Sequence, residues 1–155
     1  MEVSFYHLLT QDVSIALPRL LAKAYAAAKR VLVFSRDENQ MREVDEWLWT
    51  YDKASFLPHG TDRNKFLESQ PILISCSVDP VNQADILVIL DGYMPADISG
   101  FSRCLYMFDG RDEPVVEQAR EHWKQFTTSD HQLVYWKQDA RGGWQKAHER
   151  GSGGQ

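Results

Sequence analysis

Residues 30–51, RVLVFSRDENQMREVDEWLWTY, join two patterns that together decide the fold. Arg30 to Ser35 is a nearly continuous run of β-branched and apolar residues, the mark of a strand buried on both faces. From Asp37 to about Tyr51 the period changes. Met41, Val44, Leu48 and Tyr51 recur at spacings of three and four, which predicts a helix laid on the sheet by that stripe. Asp37 stands at its start, where a carboxylate accepts backbone N–H bonds and meets the positive end of the helix dipole. One residue breaks the pattern. At about 100° per residue Trp49 falls in the sector of Arg42 and Asp45, so a large ring stands on the polar face. Phe56, Leu57 and Pro58 follow in an apolar segment able to lie beside it. Aromatics placed this way predict a surface made to be covered by another protein.

Outward from this stretch, the chain keeps alternating. Val3 to Leu9 reads as a first strand, and Ser14 opens a helix through SIALPRLLAKAYAAAKR, closed by Lys29 and Arg30. Strand patterns return at Pro71 to Ser75, Asp85 to Leu90, Arg103 to Phe108 and Leu133 to Lys137, with a long helix from about Glu113 to Thr127. Phe66 and Leu67 are expected to pin the polar stretch between Gly60 and Gln70, and Ala140 to His148 resembles a hairpin or loop. Strands alternating with helices imply an α/β, Rossmann-like three-layer fold with a mostly parallel sheet. One domain is expected over residues 1–148, with a flexible Gly/Ser-rich tail at 149–155.

Composition narrows the function classes. The chain has 155 residues, 43% hydrophobic and 25% charged, as in an ordinary globular domain. A formal charge of −5 argues against a general electrostatic grip on nucleic acid, so any cationic site must be local. No run of about 18 apolar residues occurs, and MEVSFYHLL has neither a basic leader nor a small-residue cleavage site, so a cytoplasmic location is expected. Cys76 and Cys104 form no disulfide framework or zinc motif and are read as buried small residues.

The strand-end turns, where open α/β sheets bind ligands, offer little chemistry. The turn after RVLVFS is Arg36, Asp37, Glu38, acidic and without glycine, and no phosphate-cradling loop occurs anywhere. Asp91-Gly92 and Asp109-Gly110 read as tight turns. The five histidines lie at no metal or triad spacing. No catalytic residue, metal or cofactor is therefore expected.

The last helix, EPVVEQAREHWKQFT, is more informative. Its core stripe is read as Val115, Ala119, His122 and Phe126, with Val116 and Trp123 on the flank and Arg120 and Lys124 just beyond. Like charges four apart cost a few tenths of a kcal/mol on an isolated helix. Either Glu117 and Glu121 neutralise them on a solvated face, or the flank receives an acidic peptide ending in an apolar residue.

Taken in order, FYHLL, KRVLVFSRDENQMREVDEWLW, SFLPHG, DILVIL and AREHWKQF resemble the chi subunit family of the bacterial DNA polymerase III holoenzyme. The most specific part is the combination of Asp45, Glu46, Leu48 and Trp49 with Ser55, Phe56, Pro58 and His59. The resemblance implies a nucleotide-binding fold without its nucleotide site, and a non-catalytic role in DNA replication. It implies two partners: the psi subunit of the clamp loader, and the acidic C-terminal tail of single-stranded DNA-binding protein (SSB). Trp49 and Phe56 would face psi. Arg120, Trp123 and Lys124 would bind the SSB tail, with Val116 lining that site, and nucleic acid would be reached only through SSB. His122 and Trp123 stand where the family often has a basic residue and another aromatic. An alternative stays open, because RVLVFSRDENQMREVDEWL also resembles a strand-helix unit of helicase motor domains, although the Walker lysine is absent.

Overall fold

The computed structural model describes residues 1–51, 57–64 and 66–150; Phe56 lies outside them. Along the chain come β1 (Glu2–Leu8), α1 (Val13–Ala26), β2 (Val31–Phe34), α2 (Glu38–Thr50), β3 (Gly60–Thr61), β4 (Ile72–Ser75), β5 (Ile86–Leu90), β6 (Arg103–Asp109), α3 (Glu113–Thr127), β7 (Gln132–Gln138) and β8 (Trp144–Arg150). The strands form one eight-stranded sheet in the order β3-β4-β2-β5-β6-β1-β7-β8. Every neighbouring pair is parallel except β7 with β8, which is antiparallel. This is the Rossmann-like α/β arrangement that the alternating patterns predict.

Strand alternation divides the core into two layers. Val31 and Val33, Ile72 and Ile74, Ile86 and Val88 face α1 and α2, where Leu17, Leu21, Met41, Val44 and Leu48 meet them. Val3 and Phe5, Leu87 and Ile89, Tyr106 and Phe108 face the other way, toward Val116, Ala119 and Phe126 of α3. A β-strand directs successive side chains to opposite faces, and a parallel sheet must be covered on both, so these strands are apolar at nearly every position.

Local chemistry sets the element ends. The Asp37 side chain caps α2 by accepting the Gln40 N–H at 2.8 Å, and the Gln40 Oε1 accepts the Arg36 N–H at 2.8 Å. This reciprocal arrangement fixes where the β2 chain turns into helix. The bond from Gln40 is also the main reason the Asp37 carboxyl is held below its ordinary range. α1 stops at Ala26, earlier than the sequence pattern suggests, because Ala28 takes a left-handed conformation at φ 59° and the Lys29 N–H turns back to the Ala24 carbonyl.

Two other expectations are corrected. Cys76 is exposed, because it lies just beyond the end of β4, whereas Cys104 inside β6 is buried. Phe66 is 72% exposed and left-handed at φ 59°, so Leu67 alone of that pair packs against the core. Of the hairpin or loop expected at Ala140 to His148, the structure forms the hairpin, with β8 (Trp144–Arg150) antiparallel to β7. The expected Asp109-Gly110 turn forms, and glycine is needed there for space: a Cβ would run into the His7 ring and the Leu8 carbonyl.

Candidate functional site: two aromatic surfaces

The first surface grows from α2. Met41, Val44 and Leu48 are buried on the sheet as their spacing predicts, and Tyr51 is half-buried against the same layer. Trp49 turns the other way and is 57% exposed. Its ring meets His59 at 4.8 Å and 60°. His59 is anchored through one nitrogen: its Nδ1 donates to the Leu57 carbonyl at 2.7 Å, while its buried Nε2 stands 2.9 Å from Asp45 Oδ1 without hydrogen-bond alignment. Leu57 is buried beneath it. Asp45, Trp49 and His59, three of the residues that single out this segment, therefore form one contact unit.

The second surface is the outer flank of α3. Val116 is 5% exposed and belongs to the buried stripe with Ala119 and Phe126, while Val115 is only half-buried. The helix is thus rotated by about one position from the sequence reading, and Val116 offers only a fringe of surface. His122 reaches from the edge of the stripe to Tyr106, with Nδ1 and the phenol oxygen 2.6 Å apart, and burial lowers its pKa. Trp123 is half-buried in an aromatic corner, edge-on to Phe5 at 5.2 Å, Tyr135 at 5.4 Å and His148 at 5.7 Å. Lys124 and Arg120 are exposed. Lys124 lies 3.6 Å from Glu121, a solvent-exposed pair worth little. Among the described residues, no carboxylate lies within ion-pairing distance of Arg120.

Two other strands add a polar pair to this flank. In β1 and β7, His7 Nδ1 and the Tyr135 phenol oxygen are 2.6 Å apart. Burial, then the charges of Lys137 and Arg120, lower the His7 pKa. Burial pushes the Tyr135 phenol up to about 12, partly offset by Arg120. The His7–Tyr135 pair lies next to the Trp123 ring and feels the positive charge of Arg120. The alternation of LVYWK, which puts Tyr135 and Lys137 on the face of Leu133, was the available signal.

Elsewhere the strand ends look structural. Asp91 accepts the Asp109 N–H at 3.1 Å, and its pKa is raised chiefly by burial. Gly92 sits at φ 83°, as its turn requires. Among the described residues, no group of three or more His, Cys, Asp or Glu side chains is placed to hold a metal ion. No described helix is long and apolar enough to cross a membrane.

Fold and surface together define a Rossmann-like α/β domain whose strand-end turns, among the described residues, lack a phosphate cradle and whose helices present aromatic and cationic side chains outward. The family model for the DNA polymerase III chi subunit, HolC, matches residues 1–134. Among similar proteins, the probable DNA polymerase III subunit chi of Rickettsia prowazekii is 26% identical, over 94% of this chain and 91% of its own. The DNA polymerase III subunits chi of Haemophilus influenzae and Pseudomonas aeruginosa are 28% and 29% identical, over 77% and 76% of this chain and 86% and 82% of theirs. The chain belongs to the DNA polymerase III chi subunit family, which gives it a part in DNA replication.

Proposed function

We propose that this chain is a non-catalytic, cytoplasmic adaptor that needs no cofactor and joins the clamp loader, through the psi subunit, to the C-terminal tail of SSB. The observation that carries the reading is the α3 flank: an exposed guanidinium without a carboxylate partner among the described residues, beside the half-buried Trp123 ring. An acidic tail ending in an apolar residue and a free carboxylate has the complementary chemistry, with charge on Arg120 and Lys124 and the side chain against Trp123. Val116 supports this surface from below. Trp49, with Phe56, is assigned to psi, because a large exposed ring held by a fixed histidine suits the centre of a protein interface.

Calorimetry with a peptide that carries an acidic run, a terminal Phe and a free carboxylate tests the tail site. Arg120→Ala should weaken binding roughly tenfold to a hundredfold, since a charged hydrogen bond contributes about 1.5–3 kcal/mol. Amidating the peptide terminus should have a comparable effect. Equal affinity for the variant or for the amidated peptide refutes the site. No described feature favours the helicase-like alternative.

A further inference from the structure

The family match ends at residue 134, and the residues beyond it help to build a cavity of about 710 Å³ between α1 and the β7–β8 hairpin. It lies on the sheet face opposite α3. An irregularity between Tyr135 and Trp136 sorts the hairpin's side chains: Tyr135 pairs with His148 on the α3 side, and beyond it Trp136 pairs with Lys146 and Gln138 with Trp144. Trp136 and Trp144 pack against the layer shared with α1. Trp144 is held edge-on by Tyr6 at 5.1 Å, and the Lys146 ammonium lies 5.5 Å from the Trp136 ring centroid. Two indoles on neighbouring strands form the floor.

The wall is α1. Arg19 and Lys23 line the cavity one helical turn apart. Among the described residues, neither has a carboxylate within ion-pairing distance, and no acidic side chain lines the cavity. The far end is fixed in advance. Buried Gln138 accepts the N–H groups of Leu9, Thr10 and Gln11 at 3.0–3.1 Å and donates to the Gln11 side chain at 3.1 Å, which ties the loop before α1 to the hairpin. In a chain of net charge −5, this is a preformed pocket of flat rings and cations.

We infer that the cavity receives a segment of single-stranded nucleic acid, with bases against Trp136 and Trp144 and phosphates on Arg19 and Lys23. The inference goes beyond the adaptor reading and rests on different residues. Aromatic platforms flanked by cations are how single strands are held without sequence preference. A free nucleotide shares the chemistry of base and phosphate, but the cavity has no cradle for a polyphosphate. The N–H groups of Gly142 and Gly143, the backbone donors at its mouth, are already taken by the Asp139 carbonyl and carboxylate.

Fluorescence anisotropy of a labelled short oligothymidylate, titrated with the full chain at low salt, tests this. Saturable binding should quench tryptophan emission and fall with salt at a log-log slope of about −1.4, as expected for two phosphates on a single strand. The exposed pair Arg19→Gln/Lys23→Gln should flatten that slope, with its melting temperature unchanged. Trp136→Leu should weaken binding about five- to a hundredfold. The proposal is overturned if no binding saturates or if the Arg19/Lys23 variant binds equally. It is also overturned if thymidine triphosphate competes as well as the strand, or if oligoglutamate binds more tightly than the oligonucleotide.

Discussion

Replacing Gln138 by Leu keeps most of the side-chain volume and removes the side-chain hydrogen bonds that tie the loop before α1 to the hairpin. The structure gives the size of the effect. Gln138 is 3% exposed, and its Oε1 is the acceptor for the N–H groups of Leu9, Thr10 and Gln11. Thr10 is exposed, so water can replace that bond, but Leu9 and Gln11 are half-buried. An unsatisfied buried donor costs about 1–3 kcal/mol; half-buried donors fall in the lower part of that range, about 1–2 kcal/mol each, so the two together give a loss of about 2–4 kcal/mol. In a chain of 155 residues this lowers the melting temperature by roughly 5–15 °C. Gln138→Glu separates bonding from packing, because a carboxylate keeps the acceptor. Three N–H donors hold such a carboxyl's pKa down in the folded state. Its stability is therefore present above the unfolded carboxylate pKa and is lost as pH falls through the folded one. Differential scanning calorimetry at neutral and acid pH should rank native above Glu above Leu, with the Glu advantage fading in acid. A Leu variant within about 0.5 kcal/mol of native would show that packing, not the bonds, holds the hairpin to the loop.

Trp49→Ala should abolish co-elution with psi while leaving the melting temperature within a few degrees of native, because a 57%-exposed ring contributes little burial; an unfolded variant refutes the assignment of Trp49 to a partner surface. His7, His122 and His131 all have lowered pKa values, with burial the main cause. The unfolded chain therefore binds more protons than the folded one just below the ordinary histidine value of 6.5, and stability must fall as pH drops through that range. Thermal melts from pH 8 to 5 should show this trend, and His122→Asn should flatten it; a rise in stability toward pH 5 contradicts the burial argument. Thiol labelling of the native protein should modify Cys76 alone, faster as pH rises, since burial pushes the Cys104 thiol up to about 12. Equal rates for the two thiols would mean that β6 opens readily.

Much of the frame was legible because it is local. The RVLVFS run, the Asp37 cap and the Met41, Val44, Leu48 stripe each contain their own cause within a few residues, and the structure keeps all three. Trp49 stood out for the same reason. The phase of α3 was harder, because it depends on what the helix lies against. Phe5, Tyr135 and His148 form an aromatic corner that draws in Trp123, and the helix turns Val116 into the core as a result. The rings around Trp123 come from β1, β7 and β8, so no spacing within one segment predicts them. β8 itself is written in Lys, Glu and Arg, the residues that protect a sheet edge from further pairing, so its pattern left hairpin and loop both open. For Cys76, composition suggested burial, but its position one residue past the end of β4 decided the outcome.

The place of β1 also governs how the chain can assemble during synthesis. Its partners are β6, where Glu2 meets Arg103, and β7, where Glu2 meets Gln132. The first strand made must wait for roughly 100 further residues before either neighbour exists, about 5–20 s at ribosomal rates. During that time the side chains of Val3 and Phe5, fully buried in the finished sheet, have no layer to enter. The sheet can close around them only from the C-terminal side, so the hairpin that completes the fold is also its last checkpoint. A ribosome stalled before β7 would hold a nascent chain with one edge of its first strand unpaired, a natural substrate for a chaperone.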